Sequence, residues 1–154
     1  MKICTFLGHR DAAGDIAPVL EKTIEKLIVE QDVTLFYVGD CGNFDSFALH
    51  ALRKIKGIYP HIVYVVVLAY MPGEQEAHRY RLGETLIPEG IETVPKRFAI
   101  SFRNLWMIRR ADYVIAYQIR SYGGAAQFCQ KAIRYGKKVI NIAEKFEKSK
   151  PPVH

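Results

Sequence analysis

The chain has 154 residues, of which 49% are hydrophobic and 25% are charged, as in an average globular domain, so intrinsic disorder and fibrous repeats are excluded. The length suits one hydrophobic core and therefore one functional site. The 22 Lys and Arg residues exceed the 16 Asp and Glu residues, and the formal net charge of +6 favours an anionic partner such as a phosphate, a nucleotide or a nucleic acid.

The N-terminal third of the chain alternates predicted strands and helices. Residues 2–7 form a short run with β-branched and aromatic residues that ends at Gly8, which predicts a buried first strand. Apolar residues then recur at every third or fourth position over 16–31 and predict an amphipathic helix. A second strand is predicted over 33–38 and a second helix over 44–58.

The middle of the chain joins the most apolar predicted strand to the least regular segment. Residues 62–69 are almost wholly apolar, as expected for a parallel strand that helices cover on both faces. Residues 71–96 contain three prolines and no clear periodicity. We expect this segment to form a lid or a binding loop that closes over the site.

The C-terminal part continues the alternation of helices and strands. The pattern predicts a helix over 98–110, a fourth strand over 113–117, a helix over 124–135 and a fifth strand over 138–143. Residues 144–154 are charged and contain prolines, which predicts a mobile tail.

This order of elements predicts an α/β fold with a parallel, doubly wound sheet of five strands, built as one domain over residues 1–143. Sheets of this kind bind ligands beyond the carboxyl ends of their strands, near the point where the strand order reverses. The candidate site is therefore expected in the loops that follow the strands.

Glycine-rich turns follow three of the five predicted strands. They are Gly8-His9-Arg10 after the first strand, residues 39–45 after the second and residues 121–126 after the fourth. Glycines let the backbone approach a ligand, and a following helix offers unpaired N–H groups to a phosphate, to which Arg10 can add a bidentate contact. One such turn is often a simple loop closure. Three at the same edge of a sheet predict an anion-binding site.

The same turns resemble motifs of the SLOG superfamily, which groups the DNA-processing Smf/DprA proteins, the LOG proteins and the YpsA-like proteins. Gly8-His9-Arg10 is similar to the first turn of that superfamily. The pattern Gly39-x-x-Gly42-x-x-Asp45-x-x-Ala48 is similar to its second turn. Arg103-Asn104 resembles the Arg-Asn pair of the Smf and YpsA-like branches, and Gly123-Gly124-Ala125-Ala126 resembles the Gly-Gly turn after the fourth strand.

The resemblance covers residues 2–143 and is nearest to the YpsA-like branch, whose function is unknown. It implies a three-layer α/β/α, Rossmann-like fold with the strand order 3-2-1-4-5 and a nucleotide or nucleotide-derived ligand. It does not imply a reaction, a catalytic residue or a cofactor.

The resemblance argues against the reaction of the LOG enzymes, which release the base from nucleoside monophosphates. Their last glycine-rich turn leads to a catalytic Glu, and Gln130 stands at the matching position here. Glutamine has no ionisable carboxyl and cannot act as a general base. A hydrolase of this type would need a replacement acid, for example Asp40, Glu84 or Glu89.

Several candidate side chains also have a structural interpretation. His9 can contact the ligand or fill a polar pocket, and Asp45 can hold a ribose hydroxyl or cap a helix. Arg103 and Asn104 can face the strand ends, a neighbouring chain or solvent. Cys41 has no adjacent base in the sequence, so a nucleophilic role is not expected.

Basic and aromatic residues alternate over 96–110, a pattern also found on surfaces that bind single-stranded DNA. The aromatic residues Phe98, Phe102 and Trp106 are four positions apart, which is more typical of the buried face of a helix. Single-stranded DNA binding is therefore the less favoured alternative. The helix could instead form the contact of a homodimer, since a homo-oligomer is expected.

The cysteines and the apolar runs bear on the compartment. Cys4, Cys41 and Cys129 are odd in number and lack metal-ligand spacing, which favours a reduced cytoplasm and no metal site. The apolar start that ends at Gly8 is too short for a signal peptide. The longest apolar run, 62–71, is about half of the ~20 residues that a membrane helix needs.

The sequence thus predicts a cytoplasmic protein that binds a nucleotide or a nucleotide-derived small molecule, as a sensor or an accessory protein, and has no membrane partner. The predicted ligand-binding residues are Gly8, His9, Arg10, Gly39, Asp40, Gly42, Asn43, Asp45, Arg103, Asn104, Ser121, Tyr122, Gly123 and Gly124.

Overall fold

A six-stranded parallel sheet forms the centre of the protein. The computed structural model describes residues 1–149, and the side chains of residues 1–145. The strands are β1 (Lys2–Gly8), β2 (Val33–Val38), β3 (Val63–Val67), β4 (Thr85–Leu86), β5 (Tyr113–Tyr117) and β6 (Lys138–Asn141). Their order is β4-β3-β2-β1-β5-β6, and every neighbouring pair is parallel. Strands β1 to β4 follow one another towards one edge of the sheet, and β5 and β6 follow one another towards the other edge. The strand order therefore reverses between β1 and β5.

Helices cover both faces of this sheet. They are α1 (Ala17–Gln31), α2 (Asn43–Ile58), α3 (Glu74–Ala77), α4 (Ala99–Arg110), α5 (Gly124–Arg134) and α6 (Ile142–Ser149). Cys4 and Phe6 of β1 pack with residues of α1, α2 and the start of α6. Leu7 packs on the opposite face with Ile108 of α4 and Phe128 of α5. Successive strand residues point to opposite faces, so a core on each side gives the predicted three-layer α/β/α, Rossmann-like fold.

Helix α1 forms for reasons that the sequence shows clearly. Its side chains Leu20, Ile24 and Leu27 recur at helical spacing and are buried. Pro18 lies in the first turn, where its missing N–H costs no intrahelical hydrogen bond. The chain leaves the helix at Asp32, whose φ of 56° is left-handed.

The sheet has one strand more than the sequence predicts. Strand β4 pairs with β3 inside segment 71–96, where the N–H groups of Val66 and Leu68 donate to the carbonyl oxygens of Glu84 and Leu86. Two residues are too few to show an alternation of apolar and polar side chains. The prediction of five strands is therefore wrong by one edge strand, while the order of the other five is as expected.

The end of the chain also differs from its prediction. Strand β6 stops at Asn141, and helix α6 begins at Ile142, a buried residue next to buried Ala143. Residues 144–149, predicted as the start of a tail, therefore belong to a helix. Residues 150–154 of that predicted tail lie outside the described residues.

Helix α4 buries a different face from the one that its aromatic residues predict. The buried residues of this helix are Ala99, Arg103, Met107 and Ile108. Ala99, Arg103 and Met107 are four positions apart, as predicted for a buried face. Each of them lies one position after the aromatic residue that the sequence predicts to be buried. Phe98 is 49% exposed. The pattern of apolar residues could not predict which face of α4 is buried, because a charged residue, Arg103, occupies the centre of that face.

No helix in residues 1–149 is both long enough and apolar enough to span a membrane.

Candidate functional site

A crevice of about 710 Å³ opens at the carboxyl ends of β1 and β5, where the strand order reverses. Its walls are the turn after β1, the first turn of α5 and one side of α4. This is the position at which doubly wound sheets bind their ligands. The predicted residues that line it are Gly8, His9, Arg10, Asp45, Arg103, Asn104, Tyr122, Gly123 and Gly124.

The other predicted residues lie outside this crevice. Gly39 and Asp40 line a smaller cavity of about 210 Å³, and Asp45 contributes to both spaces. The remaining three, Gly42, Asn43 and Ser121, line neither cavity. The side chain of Asn43 instead donates a hydrogen bond from Nδ2 to the carbonyl oxygen of Ala12, at 3.2 Å.

Gly39 and Gly42 are two of the glycines that the close packing of the turns requires. Gly42 has a φ of 91°, and a Cβ there would lie 2.6 Å from the Cα of Arg10. At Gly39 a Cβ would lie 2.7 Å from Oδ2 of Asp45 and 3.1 Å from Cζ of Arg103. A side chain at either position would force the backbone or these groups apart. The lack of a side chain at Gly39 and Gly42 therefore lets Arg10, Asp45 and Arg103 take their positions around the site.

His9 connects the turn after β1 to the turn after β5. Its Nε2 accepts hydrogen bonds from the backbone N–H groups of Ile119 (2.9 Å) and Arg120 (3.3 Å). An Nε2 that accepts two hydrogen bonds carries no proton, so Nδ1 carries it in the neutral ring. Burial and the charge of Arg120 lower the pKa of His9. This residue holds the crevice together and is neutral at pH 7.

Arg10 and Arg120 are two of the arginines that line the crevice. Arg120 forms a two-pronged ion pair with Asp11, with N–O distances of 2.6 and 3.1 Å. Arg10 is exposed and forms no ion pair with any residue in 1–145. Its charge is therefore available to an anion in the crevice.

The first turn of α5 forms another wall of the crevice. Gly123 precedes the helix with a φ of 92°, and no side chain caps it. The first backbone hydrogen bond of the helix runs from Gln127 to Gly123, so the N–H groups of Gly124 and Ala125 have no intrahelical partner. Tyr122, 71% exposed, lies at the rim. An uncapped helix N-terminus with glycines before it is a typical phosphate-binding geometry.

Arg103 forms the floor of the crevice and is 1% exposed. Its Nη1 donates to Oδ1 of Asp40 at 2.6 Å and to the carbonyl oxygen of Val67 at 2.9 Å. Its Nε donates to Oδ1 of Asn104 at 2.9 Å. The interpretation of Arg103 as part of a solvent-exposed helix face is therefore wrong, and the ion pair with Asp40 explains how its charge is tolerated in the core.

Asp45 lies beside this arginine at the start of α2. Its Oδ2 accepts a hydrogen bond from the N–H of Cys41 at 2.9 Å. Burial raises the pKa of Asp45 to about 6, although the charge of Arg103 opposes this rise. Helix α2 has no side-chain cap, so the capping role considered for Asp45 is not found. Its carboxyl is left as an acceptor at the floor of the crevice.

The possible catalytic groups considered from the sequence do not meet in the crevice. Gln130 is exposed and does not line it. Glu84 is held by Arg53, and Glu89 lies in a separate groove against α4. Burial raises the pKa of the Cys41 thiol, which disfavours the reactive thiolate.

The further crevice residues that the sequence did not single out include the polar residues Asp11, Ser101, Arg120 and Gln127. Asp11 and Arg120 each lie next to a predicted turn residue, so proximity to the turns was the available signal. Within the described residues, no three His, Cys, Asp or Glu side chains are placed to hold a metal ion.

Comparison with known proteins supports the fold. The structure is similar to the X-ray structure of DNA processing protein A (DprA) from Streptococcus pneumoniae, with a TM-score of 0.62 and 18% sequence identity over 90% of this chain. The matched region spans 49% of that DprA chain. No family model matches the sequence. No curated protein matches it either. At this identity the likeness confirms a Rossmann-like fold.

Proposed function

We propose that the protein binds a nucleotide or a nucleotide-derived anion in the crevice, with a phosphate group at the N-terminus of α5. The observation that carries this proposal is the uncapped first turn of α5, which faces the same crevice as Arg10. Backbone N–H groups and the positive end of the helix dipole stabilise a phosphate there. Arg10, which lines the same crevice, adds a positive charge.

The rest of the crevice suits the uncharged part of a nucleotide. Tyr122 offers an exposed ring at the rim, directly before the N-terminus of α5 where the phosphate is proposed. Asp45 and Asn104 offer polar groups at the floor for a sugar or a base. Binding without turnover, as in a sensor or an accessory protein, agrees with the position of Gln130 outside the crevice.

A calorimetric titration with nucleoside monophosphates, ADP-ribose and cyclic nucleotides tests this proposal. Arg10→Gln keeps the methylene groups that pack on Gly42 and removes the charge. We expect this variant to bind about tenfold to a hundredfold more weakly, since one charge-assisted contact contributes about 1.5–3 kcal/mol.

Arg134→Ala is the matched control, because Arg134 is an exposed arginine on α5 that does not line the crevice. It should bind as tightly as the unchanged protein. Equal affinities of Arg10→Gln and the unchanged protein, or no binding of any nucleotide, would place the function elsewhere.

Single-stranded DNA binding is the second candidate, and the likeness to a DNA processing protein favours it. The net charge of +6 agrees with it as well. Fluorescence anisotropy with a labelled oligonucleotide measures the binding constant at several salt concentrations. The logarithm of this constant should then fall linearly with the logarithm of the salt concentration, because counterions are released from the phosphates. The absence of binding at 50 mM salt removes this candidate and leaves the nucleotide proposal untouched.

A further inference from the structure

The buried guanidinium of Arg103 has one nitrogen, Nη2, that donates to no oxygen or nitrogen atom of residues 1–145. Its Nε and Nη1 donate to Asn104, Asp40 and Val67, and no hydrogen bond in residues 1–145 involves Nη2. No fully buried side-chain nitrogen or oxygen in this part of the chain lacks a partner. Nη2 therefore reaches the surface of the crevice that Arg103 lines. It presents a fixed donor to any ligand there.

The neighbouring amide has its orientation fixed by the same arginine. Oδ1 of Asn104 accepts the hydrogen bond from Nε of Arg103, so the Nδ2 amino group occupies the other side of the amide. Asn104 also lines the crevice. The floor thus offers two donors from adjacent residues of α4.

An acceptor lies directly beside these donors. Oδ2 of Asp45 and the guanidinium carbon of Arg103 both closely approach the position where Gly39 lacks a side chain, so the two groups are neighbours. The N–H of Cys41 fixes the carboxyl by holding Oδ2. With a pKa of about 6, Asp45 is mostly ionised at pH 7.5 and accepts hydrogen bonds through both oxygens.

The distance between the N-terminus of α5, where the phosphate is proposed, and Asp45 at the floor of the crevice determines which part of a nucleotide reaches that floor. Helix α5 follows β5, Asp45 follows β2, and β1 lies between these two strands. Two strand spacings amount to about 10 Å. A nucleotide held by its phosphate at α5 therefore extends its base towards Asp45 and Arg103.

We propose, on the basis of the proposed function, that the crevice selects guanine nucleotides. Guanine carries its N1–H and 2-amino donors on one side of the O6 acceptor and N7 on the other. Asp45 accepts from N1–H and the 2-amino group, while Arg103 and Asn104 donate to O6 and N7. Adenine has an amino group at the position of the guanine O6, and this amino group would face the donors of Arg103 and Asn104. Adenine also has no N1–H or 2-amino group, so Asp45 would have no hydrogen-bond partner.

Calorimetric titrations of the unchanged protein at pH 7.5 with GMP, IMP, AMP and XMP test the selection without any variant. We expect GMP to bind at least tenfold more tightly than AMP, and IMP to fall between them because it lacks the 2-amino donor. A missing partner for a buried polar group carries a large penalty, which supports a difference of this size.

Asp45→Asn adds a second readout. The variant keeps an acceptor for Cys41 and gains an amino group that donates to the 2-oxo group of xanthine. The ratio of GMP to XMP affinity should fall at least tenfold. Asp11→Asn is the matched control, since Asp11 lines the same crevice opposite Arg120. It should leave this ratio unchanged even where it weakens both ligands.

The outcomes separate the two proposals. Equal binding of GMP and AMP, or an unchanged GMP to XMP ratio in Asp45→Asn, overturns guanine selection while nucleotide binding stands. Failure of all four nucleotides to bind also overturns guanine selection, and the proposed function falls with it only when ADP-ribose and the cyclic nucleotides fail to bind as well.

Discussion

His9 illustrates how a motif residue can serve the site without facing the ligand directly. Its ring accepts two backbone hydrogen bonds from the turn after β5, and the backbone N–H of His9 donates to the carbonyl oxygen of Tyr117 at 3.3 Å. A protonated ring would place an N–H against two N–H donors. The lowered pKa of His9 follows from burial first and from Arg120 second.

Substitutions at His9 should therefore change stability in a pH-dependent way. His9→Ala leaves two N–H groups without their partner and should lower the free energy of unfolding by about 1–3 kcal/mol. His9→Gln places an oxygen near the position of Nε2 and should restore part of this loss. Urea denaturation at pH 8 and pH 5.5 measures both effects.

The sign of the pH effect follows from the lowered pKa. The unfolded chain takes up a proton at the ordinary His pKa of about 6.5, but the folded chain does so only at lower pH. The stabilising contribution of His9 is thus present above pH 6.5 and decreases as the pH falls below it. The difference between the unchanged protein and His9→Gln should shrink from pH 8 to pH 5.5. A constant difference would contradict the neutral, accepting ring.

Arg103 marks the limit of sequence reasoning at the scale of one residue. The Arg-Asn motif identified it as a candidate, yet hydrophobicity patterns assign arginine to the outer face of a helix. Its burial depends on Asp40, which lies 63 positions away along the chain. No local pattern encodes a long-range ion pair of this kind.

At the scale of elements, segment 71–96 is an attached edge of the sheet. None of its residues lines the crevice, so the expectation that it closes over that site is not met; Arg79 and Tyr80 line the smaller cavity instead. Buried Glu84 anchors the segment through Arg53 of α2, at 2.6 and 2.8 Å, and through the hydroxyl of Tyr64 in β3, at 2.5 Å. These contacts fasten the segment to the body of the domain.

Glu84→Gln should loosen this edge. The change leaves the Arg53 guanidinium without a charged partner in a largely buried position and should destabilise the protein by about 2–3 kcal/mol. Limited proteolysis should cut within 71–96 faster, and urea denaturation should show the loss. Glu89→Gln, an exposed change in the same segment, is the control and should behave as the unchanged protein.

The pH dependence of this anchor has a definite sign. Hydrogen bonds from Arg53 lower the pKa of Glu84 to about 2. Its contribution is therefore fully present above the ordinary Glu pKa of about 4.3 and is lost as the pH falls towards 2. A Glu84→Gln variant as stable as the unchanged protein at pH 7 would show that the segment is held by its backbone pairing alone.

At the scale of the whole molecule, the sequence predicts architecture better than contacts. The strands 33–38 and 113–117 have the predicted bounds, because dense β-branched and aromatic runs end at clear polar or glycine residues. The crevice lies where the doubly wound pattern places it, since that rule depends on topology alone. The two-residue strand β4 and the start of α6 at Ile142 could not be predicted, because tertiary pairing and packing determine them.

The ties between the turns after β1 and β5 have a kinetic consequence. His9 and the Asp11–Arg120 ion pair join these two turns through contacts that the protein makes by itself. A crevice that is already assembled needs little further ordering when a ligand arrives, so binding loses less conformational entropy. Association is then limited by encounter and orientation, and residence time becomes the quantity that distinguishes one ligand from another.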